Sequence, residues 1–74
     1  MNLLECNKND ILEVVKLNTQ GALKQRLISF GVIKGATISF LGYSPTKSTV
    51  EIKVGKMNIA LRKEEAQSIE VKTK

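Results

Sequence analysis

The chain is 74 residues long, 42% hydrophobic and 26% charged, with a formal net charge of +5. That is enough material for one hydrophobic core, so a single domain over residues 1–74 is expected, and intrinsic disorder is excluded as a class. No apolar run is long enough to cross a bilayer, and Met1 to Lys8 has neither the basic start nor the continuous apolar stretch of a secretory signal, so a cytoplasmic protein without direct membrane insertion is expected.

Asp10 to Leu17 opens the predicted elements as a strand. Leu12 and Val14 lie on one face, with Ile11, Val15 and Leu17 on the other, so the pattern leaves open which face is buried. Asn18 to Gly21 breaks this strand and offers Asn18 or Thr19 as a helix cap. From Ala22 to Phe30 the period changes: Leu23, Leu27 and Phe30 form an i, i+4, i+7 stripe, opposite Gln25 and Ser29. Gly31 stands where a left-handed C′ residue belongs, which makes Leu27 and Val32 the apolar pair of a Schellman cap.

Lys34-Gly35 turns the chain into a second strand, Ala36 to Gly42, with Ile38 and Phe40 on one face. Tyr43 to Ser48 is a polar loop around Pro45, the one proline. Thr49 to Val54 and Met57 to Arg62 flank Gly55-Lys56, which suits a two-residue type II′ turn. Taking that turn as the register pairs Val54 with Met57, Ile52 with Ile59 and Val50 with Leu61 on one side. Lys53 with Asn58 and Glu51 with Ala60 fall on the other. Arg62 to Gln67 fits a single helical turn, and Ser68 to Lys72 a last strand carrying Ile69 and Val71. The expected fold is mostly β: a small SH3-like barrel of about five strands, one short helix after the first strand and a helical turn before the last. Closing the sheet on itself would remove its exposed edges.

Chemistry is sparse in this composition. Histidine is absent, which removes the commonest general base and metal ligand. Cys6 is the single cysteine; it suits a reducing compartment and reads as a small buried residue rather than a reactive thiol. Glu64 and Glu65 are neighbours on a helical turn and diverge, so they make no paired site. Gly55-Lys56 lies inside a hairpin and is no phosphate loop. No catalytic, metal-ligating or cofactor-binding residue is assigned, and no enzyme is expected. Contact residues are easier to name. Tyr43, beside Pro45 and flanked by Lys47, makes a plausible recognition patch, weighed evenly against an ordinary surface loop. Lys24 and Arg26 begin a basic stretch that runs through Lys34 to Lys47 without an acid. The basic balance would favour an acidic partner or nucleic acid, but a solvated, self-avoiding surface is the better reading. Nucleic acid is disfavoured, because stacking platforms are needed and only Tyr43 of the three aromatics falls outside the expected core. Self-association stays open.

Several segments together resemble the FeoA family of ferrous iron transport proteins. Gln25-Arg26-Leu27, Phe30-Gly31-Val32 and Lys34-Gly35 are similar to its Arg-Leu, Leu-Gly and Pro-Gly segment. Ser44-Pro45 stands where the family carries Ala-Pro. Ile59-Ala60-Leu61-Arg62-Lys63-Glu64-Glu65-Ala66, followed by Ile69 and Val71, resembles its C-terminal signature. The resemblance implies an SH3-like fold and an accessory role in bacterial iron uptake. The partner it implies is the cytoplasmic part of FeoB, the membrane GTPase that carries ferrous iron inward. Transition-metal binding is a family-level association for which this chain offers no ligand set. The alternatives are a small basic barrel that binds nucleic acid and a metal-responsive regulatory domain.

Overall fold

The outward face of the first strand is decided by its neighbours. In the computed structural model, which describes residues 1–74, β1 (Ile11–Leu17) buries Leu12 and Val14 completely and leaves Ile11 49% exposed. It lies between two antiparallel partners and is tied further by Gly35, whose N–H donates to the Val14 carbonyl at 2.8 Å.

Helix α1 (Gly21–Ser29) ends as its sequence requires. Gly31 takes φ +91°, a conformation that costs a Cβ-bearing residue about 1–2 kcal/mol. The Val32 N–H then donates to the Leu27 carbonyl and the Gly31 N–H to the Ile28 carbonyl, both at 2.9 Å, completing the Schellman pair. Leu27 and Val32 are both fully buried. The helix start differs from expectation. Neither Asn18 nor Thr19 caps it: Gln20 is the N-cap, with no side-chain hydrogen bond. The helix begins at Gly21, past the reach of an Asn18 cap, and the Asn18 N–H extends the β1–β5 pairing by donating to the Ser68 carbonyl at 2.6 Å.

The other strands are β2 (Thr37–Tyr43), β3 (Thr49–Val54), β4 (Met57–Arg62) and β5 (Ile69–Thr73), with a helical turn α2 (Lys63–Ala66) before the last. The β3–β4 hairpin has the register that its turn chemistry and alternation dictate, from Val54 opposite Met57 to Thr49 opposite Arg62. Gly55 carries φ +60° and Lys56 a negative φ, the type II′ pattern. A bulge between Phe40 and Gly42 shifts β2 against β3 by one residue and sets Tyr43 opposite Val50.

The expected closure does not occur. Five strands form one sheet in the order β4-β3-β2-β1-β5, and its two outer strands do not pair with each other. The chain crosses from β4 to β5 through a helical turn rather than a hairpin, and side chains fill the gap. Leu3, on a 3₁₀ turn at Leu3–Glu5, and Ala66, on α2, are both completely buried there. On the β5 side the N-terminus takes the neighbouring position, the Val71 N–H donating to the Met1 carbonyl at 2.7 Å. Asn2 bridges Glu70 beside it. All 16 buried residues are apolar, Cys6 among them, so recognition chemistry has to come from the surface.

Candidate interaction surface

The five residues singled out from sequence are distributed over three places. Tyr43 is the most constrained. The bulge in β2 turns its ring to the Phe40 side, edge-on, with centroids 5.8 Å apart and planes at 73°. Its hydroxyl donates to the Leu4 carbonyl at 3.0 Å, and the Lys63 Nζ lies 5.8 Å from the ring centroid. The residue is 42% exposed, and its hydroxyl makes it a brace between β2 and the N-terminal turn. The brace and the edge contact with Phe40 work against its acting as a stacking platform.

Pro45 and Lys47 sit on the exposed loop that follows. Lys47 holds φ +60°, unusual for a residue with a side chain, and its N–H closes a turn onto the Ser44 carbonyl at 2.8 Å. A short run of hydroxyls, Ser44 to Thr46 at 3.3 Å and Thr46 to Ser48 at 2.9 Å, stiffens the same loop. Lys47 shares a shallow recess with Arg62, Lys63 and Glu64.

Arg26 is committed within the molecule. Its guanidinium donates to the Glu65 carboxylate at 2.5 Å, tying α1 to α2. Glu65 also accepts the Arg62 N–H at 2.9 Å, capping the helical turn. Burial alone would raise the Glu65 pKa; the Arg62 N–H and the Arg26 guanidinium outweigh it and hold the carboxyl below its ordinary value. The Cys6 thiol is pushed the other way, up, by burial first and then by the nearby Asp10 carboxylate. A protonated thiol is a poor nucleophile and a poor metal ligand. No group of three His, Cys, Asp or Glu side chains is placed to hold a metal ion.

Lys24 marks a surface that the sequence did not single out. Val15 and Leu17 of β1, Ile28 of α1 and Ile33 beyond the Schellman cap line a trough of about 560 Å³, rimmed by Lys16, Lys24 and Lys34. Ile28 is 41% and Ile33 47% exposed. Each apolar residue is there for a local reason. Val15 is the extra residue where β1 slips against β5 between Val14 and Lys16, and Ile28 is one position off the stripe that seats Leu27. Ile33 follows the residue that completes the cap. Their signal in the sequence is negative: they are the large apolar side chains left over once the core positions are assigned.

Comparison with known proteins gives a consistent picture. The FeoA domain family model matches residues 1–73. A Helicobacter pylori protein (strain ATCC 700392 / 26695), assigned as an Fe(2+) transport protein A, is 38% identical over 73 residues, covering 97% of this chain and 96% of that protein. A Porphyromonas gingivalis protein (strain ATCC BAA-308 / W83), named as an Fe(2+) transport protein A/Fe(2+) transporter FeoB fusion, is 30% identical over 71 residues. That match covers 96% of this chain and 8% of the fusion. The solution structure of the FeoA protein from Chlorobium tepidum superposes with a TM-score of 0.91 at 29% identity, covering 99% of this chain and 70% of that one. With the family pattern spanning the sequence end to end, and the five-stranded fold matching a FeoA structure along the same length, the chain belongs to the FeoA domain family.

Proposed function

We propose that this protein is an accessory component of bacterial ferrous iron uptake that binds the cytoplasmic part of a FeoB-type membrane GTPase, and that it acts there by contact rather than by catalysis. The observation that carries this reading is the Porphyromonas gingivalis fusion, in which a segment resembling this chain and a FeoB transporter occupy one polypeptide. Covalent linkage holds two modules at an effective concentration of about millimolar for short flexible linkers, which suits partners that otherwise meet weakly. The interior supports contact rather than chemistry, because its buried side chains are all apolar. In this reading the protein works on the cytoplasmic face of the membrane, and iron passes through the transporter without being held by the accessory chain.

The test is calorimetric titration of the full chain into the purified cytoplasmic portion of a FeoB-type GTPase, in the nucleotide-free, GDP-bound and GTP-analogue-bound states. Saturable binding in at least one state is expected. No saturable heat in any of the three, at two temperatures, would overturn the reading.

A further inference from the structure

We infer that the trough formed by Val15, Leu17, Ile28 and Ile33 is a docking site for an acidic amphipathic helical segment of a protein partner. The inference deepens the contact-acting reading above, on which it rests, by giving that contact a location and the partner segment a chemistry.

Three observations carry it. Solitary exposed apolar residues are ordinary, but here the exposed Ile28 and Ile33 and the half-buried Val15 and Leu17 line one concave recess between α1 and the C-terminal half of β1. The rim has one sign of charge: Lys16, Lys24 and Lys34 with no acid among the lining residues. The two ion pairs in the molecule, Arg26–Glu65 and Lys72–Glu13, involve none of these lysines. An apolar floor with an unpaired cationic rim is complementary to a helix with an apolar stripe flanked by Asp or Glu. Finally, the recess is not confined to a small-molecule footprint. It runs on past Lys16, Leu17 and Lys24 into a polar groove along Asn18, Thr19 and Gln20, which can hydrogen-bond an elongated ligand.

The same observations choose among occupants. A second copy of this chain would bring three lysines against three lysines in a two-fold contact, which like-charge repulsion opposes. A lipid surface takes apolar groups that protrude, whereas these four line a recess. A helix edge carrying two or three apolar side chains fills such a recess.

The experiment is a titration of the isotope-labelled full chain with a synthetic amphipathic peptide of about 18 residues, five helical turns, built from Leu, Ala and Glu. A second peptide with every Glu replaced by Lys serves as the comparison. The acidic peptide is expected to shift the backbone amide resonances of Val15, Leu17, Lys24, Ile28 and Ile33, and to bind more weakly as salt is raised. Ile33→Glu, and separately Lys24→Glu with Lys34→Glu, are expected to weaken it by about tenfold or more. These substitutions lie at exposed positions, and an unchanged melting curve checks the fold.

Equal binding of the two peptides, shifts mapping elsewhere, or no binding would overturn the inference. So would binding to phosphatidylglycerol vesicles in preference to the peptide, or concentration-dependent shifts in the trough of the chain alone. If the FeoB-type GTPase portion binds the wild type and the Ile33→Glu variant equally, the trough assignment falls while the proposed partner stands. Loss of wild-type GTPase binding alongside intact peptide binding sinks the partner and keeps the trough.

Discussion

Arg26 and Glu65, 39 residues apart in sequence, form the ion pair that joins the sole long helix to the turn before the last strand. Glu65 serves two structures at once, because its other oxygen accepts the Arg62 N–H. The two roles are separable by substitution. Glu65→Gln keeps an acceptor for Arg62 and loses the charge, an exposed-pair loss of about 0.2–1 kcal/mol. Glu65→Ala removes both and should cost about 1 kcal/mol more. Urea denaturation of the two variants measures the difference, and equal losses would refute the dual role.

The same pair fixes a pH dependence. Because the Glu65 carboxyl titrates below its ordinary value in the folded protein, its stabilisation is complete above the unfolded value of about 4.3. It is lost as pH falls through the lowered folded value. Arg26→Ala should therefore flatten the stability profile on the acid side and leave its slope at neutral pH unchanged. A parallel profile for variant and wild type would contradict this.

Gly31 and Gly55 both hold positive φ, but their surroundings differ. A Cβ at Gly31 would lie 3.4 Å from Val54 Cγ1, while one at Gly55 would meet open space. Gly31→Ala is expected to lose about 1–2 kcal/mol from backbone strain, with steric crowding added, and so to exceed Gly55→Ala. Lys47, a residue with a side chain at φ +60°, offers the reverse case. Lys47→Gly should raise stability by about 0.5–1 kcal/mol. Thermal melts rank all three, and a Gly55→Ala loss larger than that of Gly31→Ala would count against the assigned packing.

Leu27 is where α1 enters the core, being the helix's only fully buried residue. Leu27→Ala should cost about 2–5 kcal/mol, a large share of the roughly 4–11 kcal/mol expected for a chain of this length. Loss of the cooperative unfolding transition at moderate temperature is the expected readout, and a loss below about 1 kcal/mol would show that the site collapses around the smaller side chain.

Tyr43 has to be tested with its brace in mind. Tyr43→Phe removes only the hydrogen bond to the Leu4 carbonyl, worth about 0.5–1.5 kcal/mol. Tyr43→Ala also removes the edge contact with Phe40. Binding lost with Ala and kept with Phe, at matched folded fractions, identifies the ring as a contact. Lys47→Glu probes the neighbouring loop without touching the brace.

Much of the fold was legible where two local signals agreed. The β3–β4 register followed from Gly55-Lys56 and the alternation of Val50, Ile52 and Val54, and the helix end from Gly31 with Leu27 and Val32. What local patterning could not convey was long-range pairing and packing. Asn18 pairs with Ser68 instead of capping α1, and Leu3 packs into the opening that a closed barrel would have lacked. The interaction surface was less legible for a related reason. Lys24 was picked out by charge, but Ile28, Ile33 and Val15 look like any core residue until the topology leaves them outside. Arg26, chosen for the same charge, turned out to be occupied by a carboxylate that only tertiary folding brings near.

The slip in β2 acts as a change of parity. Up to Phe40 even-numbered residues point inward; after Gly42 the odd-numbered Tyr43 takes that direction. Straightening the bulge at unchanged chain length would put Gly42 and Ser44 on the inward phase and turn the Tyr43 ring outward, cutting the N-terminal turn loose from the sheet. Length changes beyond Ser44 fall outside that count. The hydroxyl-rich loop can therefore change length without turning the ring, whereas the bulge just before it decides which way the ring faces.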